Sequence, residues 1–140
     1  MKRNLMSAMA AMILMLAVAA PTMAQRQTGP VKVTVPFGFA LENDHFKAGD
    51  YTVERIANGR LRIRNEEGSV SAIFLAIPAQ EAATPEKPHF VFNRYGNEYF
   101  LSRIWMPGQQ GGWEVLKGKY EVEIAKRKTT PVETAMVVGR

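Results

Sequence analysis

"HFVFNRYGNEYFLSRIW", residues 89–105, packs six aromatic rings, two arginines and a histidine into one short stretch. Apolar and polar residues alternate on both sides of Gly96-Asn97, which is the pattern of two strands joined by a tight turn. With the turn at Gly96-Asn97, Tyr95 faces Glu98, Arg94 faces Tyr99, Phe92 faces Leu101 and Phe90 faces Arg103. One face then gathers Phe90, Phe92, Tyr99, Leu101 and Trp105, bracketed by Arg94 and Arg103. The other carries Val91, Phe100 and Ile104, diluted by Asn93 and Ser102. Two-residue turns with glycine first suit a hairpin because their twist matches that of the strands. Rings on one face of a hairpin bury much area in a small fold, so core-building accounts for them. The competing use is a ligand-stacking surface, whose residues would be Trp105, Trp113, Arg94, Arg103 and Tyr99.

A second hairpin precedes it. "YTVERIANGRLRIRN", residues 51–65, holds two alternating runs around Asn58-Gly59. A two-residue turn there would set Val53 against Arg64 and Glu54 against Ile63, so that every inward residue met a charge. A three-residue loop, Ala57-Asn58-Gly59, pairs Arg55 with Leu61, Val53 with Ile63 and Tyr51 with Asn65. Register decides which face each residue occupies, so the second pairing is predicted, with Gly59 left-handed. Thr52, Glu54, Arg62 and Arg64 then face water. Gly68 closes a further turn at 65–68. "SVSAIFLAIP" follows as a strand whose two sides, Ile73, Leu75 and Ile77 against Val70, Phe74 and Ala76, are both apolar; this predicts a central strand covered on both faces.

Around these units the signals are shorter. Val31, Val33 and Val35 alternate with Lys32 and Thr34 as a half-buried strand ending at Pro36. Residues 42–51, 79–88 and 107–112 read as loops. "KYEVEIAK" alternates like a strand, yet Tyr120 and Ile124, and Lys119 and Glu123, stand at the i, i+4 spacing of a helix. Residues from Thr129 onward read as a frayed end.

The chain opens with Lys2 and Arg3, an apolar run from Leu5 to Ala20, Pro21, and then Thr22-Met23-Ala24 with small residues at the positions before a cut. That is the three-part pattern of a cleaved secretory signal, and its run is shorter than a membrane-spanning helix requires. The expected organisation is a signal peptide over 1–24, a flexible leader over 25–30, a β domain over 31–127 and a flexible basic tail over 128–140. The expected location is periplasmic or extracellular, with no membrane span in the mature form. The chain has no cysteine, so disulfides, thiolate metal sites and thiol nucleophiles are excluded. The net charge is +5; setting aside Lys2 and Arg3 leaves 16 basic against 13 acidic residues, or +3. This is too mild and too scattered for a nucleic-acid binder. Its densest piece, Lys126-Arg127-Lys128, suits weak contact with an anionic surface.

No catalytic constellation emerges. His45 and His89 each lack the companions that a metal site needs, so no metal or cofactor is expected. Ser69, Ser71 and Ser102 lie outside any G-x-S-x-G turn. Glu66 and Glu67 are neighbours in a turn, and Glu42 with Asp44 offers only a loose acid pair for a hydrolase. The strands are too short and too charged for an outer-membrane barrel.

"VPFGFALENDHFKAGDYTV", "FVFNRYGNEYFLSRIW" and "LKGKYEVEIAK" resemble an uncharacterised group of small exported soil-bacterial β-domain proteins with a V-P-F-x-F entry, an A-G-x-Y turn and an F-x-R-Y-G-x-x-Y-F-L hairpin. This chain departs from them at Asn93, where a histidine is common, and at Gly118, where a serine is common and would cap a helix more strongly. The resemblance implies a compact β domain and carries no activity. The predicted fold is all-β, a single antiparallel β-sandwich or small β-barrel of about 6–7 strands, with a short C-terminal helix and an N-terminal signal-peptide helix. The predicted role is a non-enzymatic structural or interaction module. The alternatives are a binder of a sugar or an apolar molecule, or a hydrolase using the carboxylates of 42–50.

Overall fold

A computed structural model of the chain describes residues 29–80, 86–106, 111–127 and 132–139. Within them the protein is all-β with one short helix, α1 (Lys119–Arg127). The strands are β1 (Val31–Val35), β2 (Phe39–Leu41), β3 (Asp44–Phe46), β4 (Gly49–Ala57) and β5 (Arg60–Asn65). They continue with β6 (Ser71–Gln80), β7 (His89–Tyr95), β8 (Glu98–Trp105), β9 (Gly111–Val115) and β10 (Glu133–Val138). All ten belong to one open sheet in the order β1-β4-β5-β6-β9-β8-β2-β3, with β7 on the other side of β8 and β10 beyond β7. Pairing is antiparallel except where Ala40 of β2 meets Phe100 of β8 in parallel. The signal-peptide helix and the leader up to residue 28 lie outside the described residues.

The β4–β5 hairpin has the predicted register: Tyr51 opposite Asn65, Val53 opposite Ile63 and Arg55 opposite Leu61. Gly59 has φ 69°, a conformation that costs glycine nothing. Tyr51, Val53, Leu61 and Ile63 are buried, and Arg62 closes an ion pair with Glu54 at 2.6 Å on the other face. β1 adds Val31, Val33 and Val35 to the same interior.

The β7–β8 hairpin follows the predicted register from its turn as far as Phe92 opposite Leu101. Gly96 alone has positive φ, 66°, as the glycine-first turn requires. The register then shifts. Ser102 is skipped, Val91 faces Arg103 and Phe90 faces Ile104. This bulge corrects the predicted pairing of Phe90 with Arg103. Without it an arginine would point into the core; with it Ile104 goes inward, and Arg103 and Trp105 turn to the outer face. One hydrophobic cluster draws side chains from β1 through β9, with Ala135 and Val137 of β10 packed against it. Strands from opposite ends of the sheet share this core, so the sheet is folded over on itself. At the meeting of its edges, a Cβ on Gly139 would lie 2.7 Å from the Lys32 carbonyl oxygen.

Four strands exceed the predicted set. β3 falls inside the stretch read as a loop and forms a tight hairpin with β2, turning at Glu42, which has φ 54°. Residues 111–112 belong to β9, and 79–80 extend β6; 81–85 and 107–110 lie outside the described residues. The segment 133–138, read as part of a frayed tail, is β10, paired along its length with β7 from Glu133–Arg94 to Val138–His89. Its inward Ala135 and Val137 alternate with outward Thr134, Met136 and Val138, a period-two signal too short and too mild to register against a chain end. β6 is central in the sheet but is covered on one face only. Phe74 and Ala76 are buried, while Ile73, Leu75 and Ile77 stand open.

Helix α1 starts immediately after Gly118, whose carbonyl accepts from the Val122 amide at 3.1 Å. A Cβ there would lie 2.5 Å from the Glu42 carbonyl carbon and closer still to its oxygen. Serine at 118 would therefore collide with backbone, which outweighs its benefit as a cap. The Gly118→Ser protein is expected to lose about 1–3 kcal/mol in urea unfolding, the usual range for overpacking. A gain in stability would show that the β2–β3 turn yields easily.

Candidate functional site

Two surfaces combine geometry with chemistry. The first is the outer face of β5 and β6. Ile73, Leu75 and Ile77 are 59%, 50% and 48% exposed and project in line along β6. Beside them on β5 run Arg60, Arg62 and Arg64, with Arg60 directly opposite Leu75 and Arg62 opposite Ile73. Glu54 engages Arg62, whereas Arg60 and Arg64 have no ion-pair partner among the described residues. On the other flank Glu114 lies opposite Ile77 and also opposite Arg103. Leu116, 43% exposed, extends the apolar strip, since its amide donates to the Leu75 carbonyl. Glu42 Oε1 accepts from the Leu75 amide at 3.4 Å.

The second is a groove of about 200 Å³ between the β2–β3 hairpin, the β7–β8 turn and the start of α1. Phe39, Phe46, Tyr99, Phe100 and Tyr120 line it, together with His45, Asn97 and Glu98. The Tyr120 hydroxyl donates to Glu98 Oε1, and this bond raises the Tyr120 pKa above its ordinary value. The Tyr120 ring lies 5.6 Å from the His45 ring and 5.7 Å from that of Phe100.

Beneath the groove, α1 is pinned to the sheet. Ile124 packs with Ala40, Tyr95 and Phe100. Glu121, buried, accepts at Oε1 from Asn93 Nδ2 at 3.0 Å and from the Tyr95 hydroxyl at 3.2 Å. Its place in the first turn also sets an acid near the positive end of the helix dipole.

No protein-family model, curated protein or solved structure matches this chain.

The residues singled out for ligand stacking are dispersed. Trp105 is buried on the outer face, across from Gly112, with the His89 ring 6.1 Å away. Trp113 lies opposite Ile104 and packs against the core. The two indoles thus occupy opposite faces of the sheet and flank no common groove. Tyr99 stacks on Phe37 at 3.8 Å, with the Arg94 guanidinium 5.4 Å from the Tyr99 ring. Arg94 also donates to the Gly96 carbonyl at 2.7 Å and lies 3.6 Å from Glu133. Arg103 is exposed beside Glu114. Of the five, Tyr99 alone lines the groove.

The remaining candidates are placed as follows. Asp44 is exposed at the start of β3. Ser69 accepts from Asn65 Nδ2 at 2.8 Å in its turn. Lys126 and Arg127 are exposed in the last turn of α1, where Glu123 faces Arg127 at 3.7 Å; Lys128 lies outside the described residues. Among the described residues no three His, Asp or Glu side chains converge as metal ligands, and no helix is long and apolar enough to cross a membrane. His45, Asn97, Glu98 and Tyr120 do not stand out as a group in the sequence because 42–51 reads as a loop. The hairpin that carries His45 to the helix has no length in sequence terms: each of its strands is three residues.

Proposed function

We infer that this protein is an exported, non-enzymatic β domain that works by surface contact, docking a partner against the outer face of β5 and β6. Export is supported by the charged start, apolar run and T-M-A site of residues 1–24, and by the resemblance to small exported β-domain proteins. The observation that carries the contact reading is the exposure of Ile73, Leu75 and Ile77 in one line. Aligned aliphatics open to water on a soluble domain mark an interaction surface more often than scattered ones do. The row Arg60, Arg62 and Arg64 supports a partner that is apolar along its centre and acidic along the flank that meets β5. Arginine is suited to this because it presents a planar fork of donors to carboxylates.

The test replaces Ile73, Leu75 and Ile77 together with threonine, which keeps strand propensity. Exposed substitutions of this kind shift stability by about 0.5 kcal/mol each or less. The triple variant should therefore unfold within about 1.5 kcal/mol of the parent and lose most of the parent's binding of an apolar dye such as anilinonaphthalene sulfonate. Destabilisation by several kcal/mol would mean that the strip is part of a covered core, and the contact reading would fail.

A further inference from the structure

We propose that the outer face of β5, β6 and β9 receives a second copy of this chain, related to the first by a two-fold axis. The proposal rests on the contact reading above and names its partner. The order of charge across the face carries it. From strand to neighbouring strand the outward side chains are Glu54 on β4, Arg60, Arg62 and Arg64 on β5, and Ile73, Leu75 and Ile77 on β6. Glu114 on β9 and Arg103 on β8 complete the row. The columns are therefore acidic, basic, apolar, acidic, basic. Read backwards they are basic, acidic, apolar, basic, acidic, the same order with every sign inverted. A face with that pattern is complementary to itself, which is what a two-fold dimer requires.

Two copies meeting face to face have their axis in the plane between the sheets. An axis across the strands would lay β5 on β5 and set arginine against arginine. An axis along β6 lays β6 on its counterpart, β5 on β9 of the second copy and β4 on its β8. Ile73, Leu75 and Ile77 then pack against their own equivalents, and Arg60 faces the flank that carries Glu114, twice by symmetry. Arg60 is level with Leu75 and Glu114 with Ile77, one step of two residues apart along the strand. That step is about 7 Å, within reach of an arginine side chain. Arg103 and Glu54 stand two such steps apart, so the Arg60–Glu114 pair sets the register. Arg60 is exposed and has no ion-pair partner among the described residues. A uniformly anionic surface fits less well, because it would press like charge against Glu54 and Glu114. From β4 to β8, and from Ser71 to Ile77 along β6, the face spans roughly 500 Å² in projection. Standard interfaces bury about 800 Å² per partner, so a reversible dimer with micromolar or weaker affinity is expected.

Sedimentation velocity of the protein from low micromolar to near millimolar concentration should show monomer passing to dimer. The triple replacement of Ile73, Leu75 and Ile77 by threonine should stay monomeric. Glu114→Lys and Arg60→Glu each set like charge on like charge twice, and each should weaken the dimer about tenfold or more. Mixed one to one, the new lysine of the first variant meets the new glutamate of the second, and the remaining Arg60 meets the remaining Glu114. The mixture should therefore dimerise about tenfold more tightly than either variant alone. Unchanged far-ultraviolet circular dichroism shows that both variants are folded, and rescue on mixing excludes a folding defect independently. A mixture no tighter than its components overturns the proposal, as does a dimer that survives the triple replacement, which would lie on another face. A parent that stays monomeric throughout also overturns it. If the triple variant then still keeps its stability and loses the dye, the contact reading stands and the partner is another molecule: a membrane if the parent binds phosphatidylglycerol vesicles through this strip, an acidic protein if it does not.

Discussion

Phe92→Ala should cost about 3–5 kcal/mol, the largest single-residue loss expected in this protein. Phe92 is fully buried and sits at the centre of the ring network. Phe37 meets it edge-on at 5.0 Å, Phe39 at 5.4 Å, and Phe90 lies 6.5 Å away along the same strand. Truncation removes the transfer energy of the ring and leaves a cavity that the surrounding strands cannot close, because Phe92 pairs with Leu101 on one side and Ala135 on the other. A domain of this size is stable by about 5–15 kcal/mol in all, so the variant would be marginal. Guanidinium unfolding followed by far-ultraviolet circular dichroism measures the loss. The outer-face change Val91→Ala, one residue away, serves as the comparison, since Val91 is only half-buried. A Phe92→Ala loss below about 1 kcal/mol would mean that the hairpin's rings are not the interior of this fold.

That hairpin was legible because its alternation is strong and its turn has one good register. The β4–β5 unit was legible for a better reason: the alternative two-residue turn would have buried Arg64 and Glu54, so charge alone selected the pairing that the structure has. The bulge at Ser102 was not legible from alternation, which continues unbroken through Leu101, Arg103 and Trp105. Only the demand that Arg103 stay out of the core reveals it, and that demand is tertiary. β6 misled in the opposite sense. Ile73, Leu75 and Ile77 look like the second buried face of a central strand, and nothing in ten residues says whether another layer covers them. The groove residues come from three segments far apart in the chain, 38–46, 97–100 and 120, which meet through a single parallel bridge between Ala40 and Phe100. Contacts of that kind have no periodic signature.

The second large effect is expected at Glu121, where one carboxyl ties the helix to the sheet. Glu121→Leu should destabilise by about 2–4 kcal/mol, since two hydrogen bonds to a charged group, about 1.5–3 kcal/mol each, are lost together and burial of the leucine side chain offsets part of that loss. Glu121→Gln keeps an oxygen acceptor and should lose much less. Combining Glu121→Leu with Tyr95→Phe should cost less than the sum of the two, because both remove the same bond. Strict additivity would deny the coupling. The same contact has a pH signature. Tyr95 is pushed up to about 12, first by burial, then by the negative charge of Glu121 and by the hydrogen bond it donates to it. An unfolded tyrosine titrates near 10, so below that pH both states hold the proton and the full contribution is present. Between pH 10 and 12 the unfolded chain releases its proton more readily than the folded one, and stability falls as pH rises. Tyr51, also raised by burial, adds to the same slope. Tyr95→Phe should therefore start less stable at pH 8 yet lose less between pH 10 and 12 than the parent does. Parallel slopes for the two proteins would place the Tyr95 hydroxyl in water rather than against Glu121, leaving Asn93 as the donor to that carboxylate.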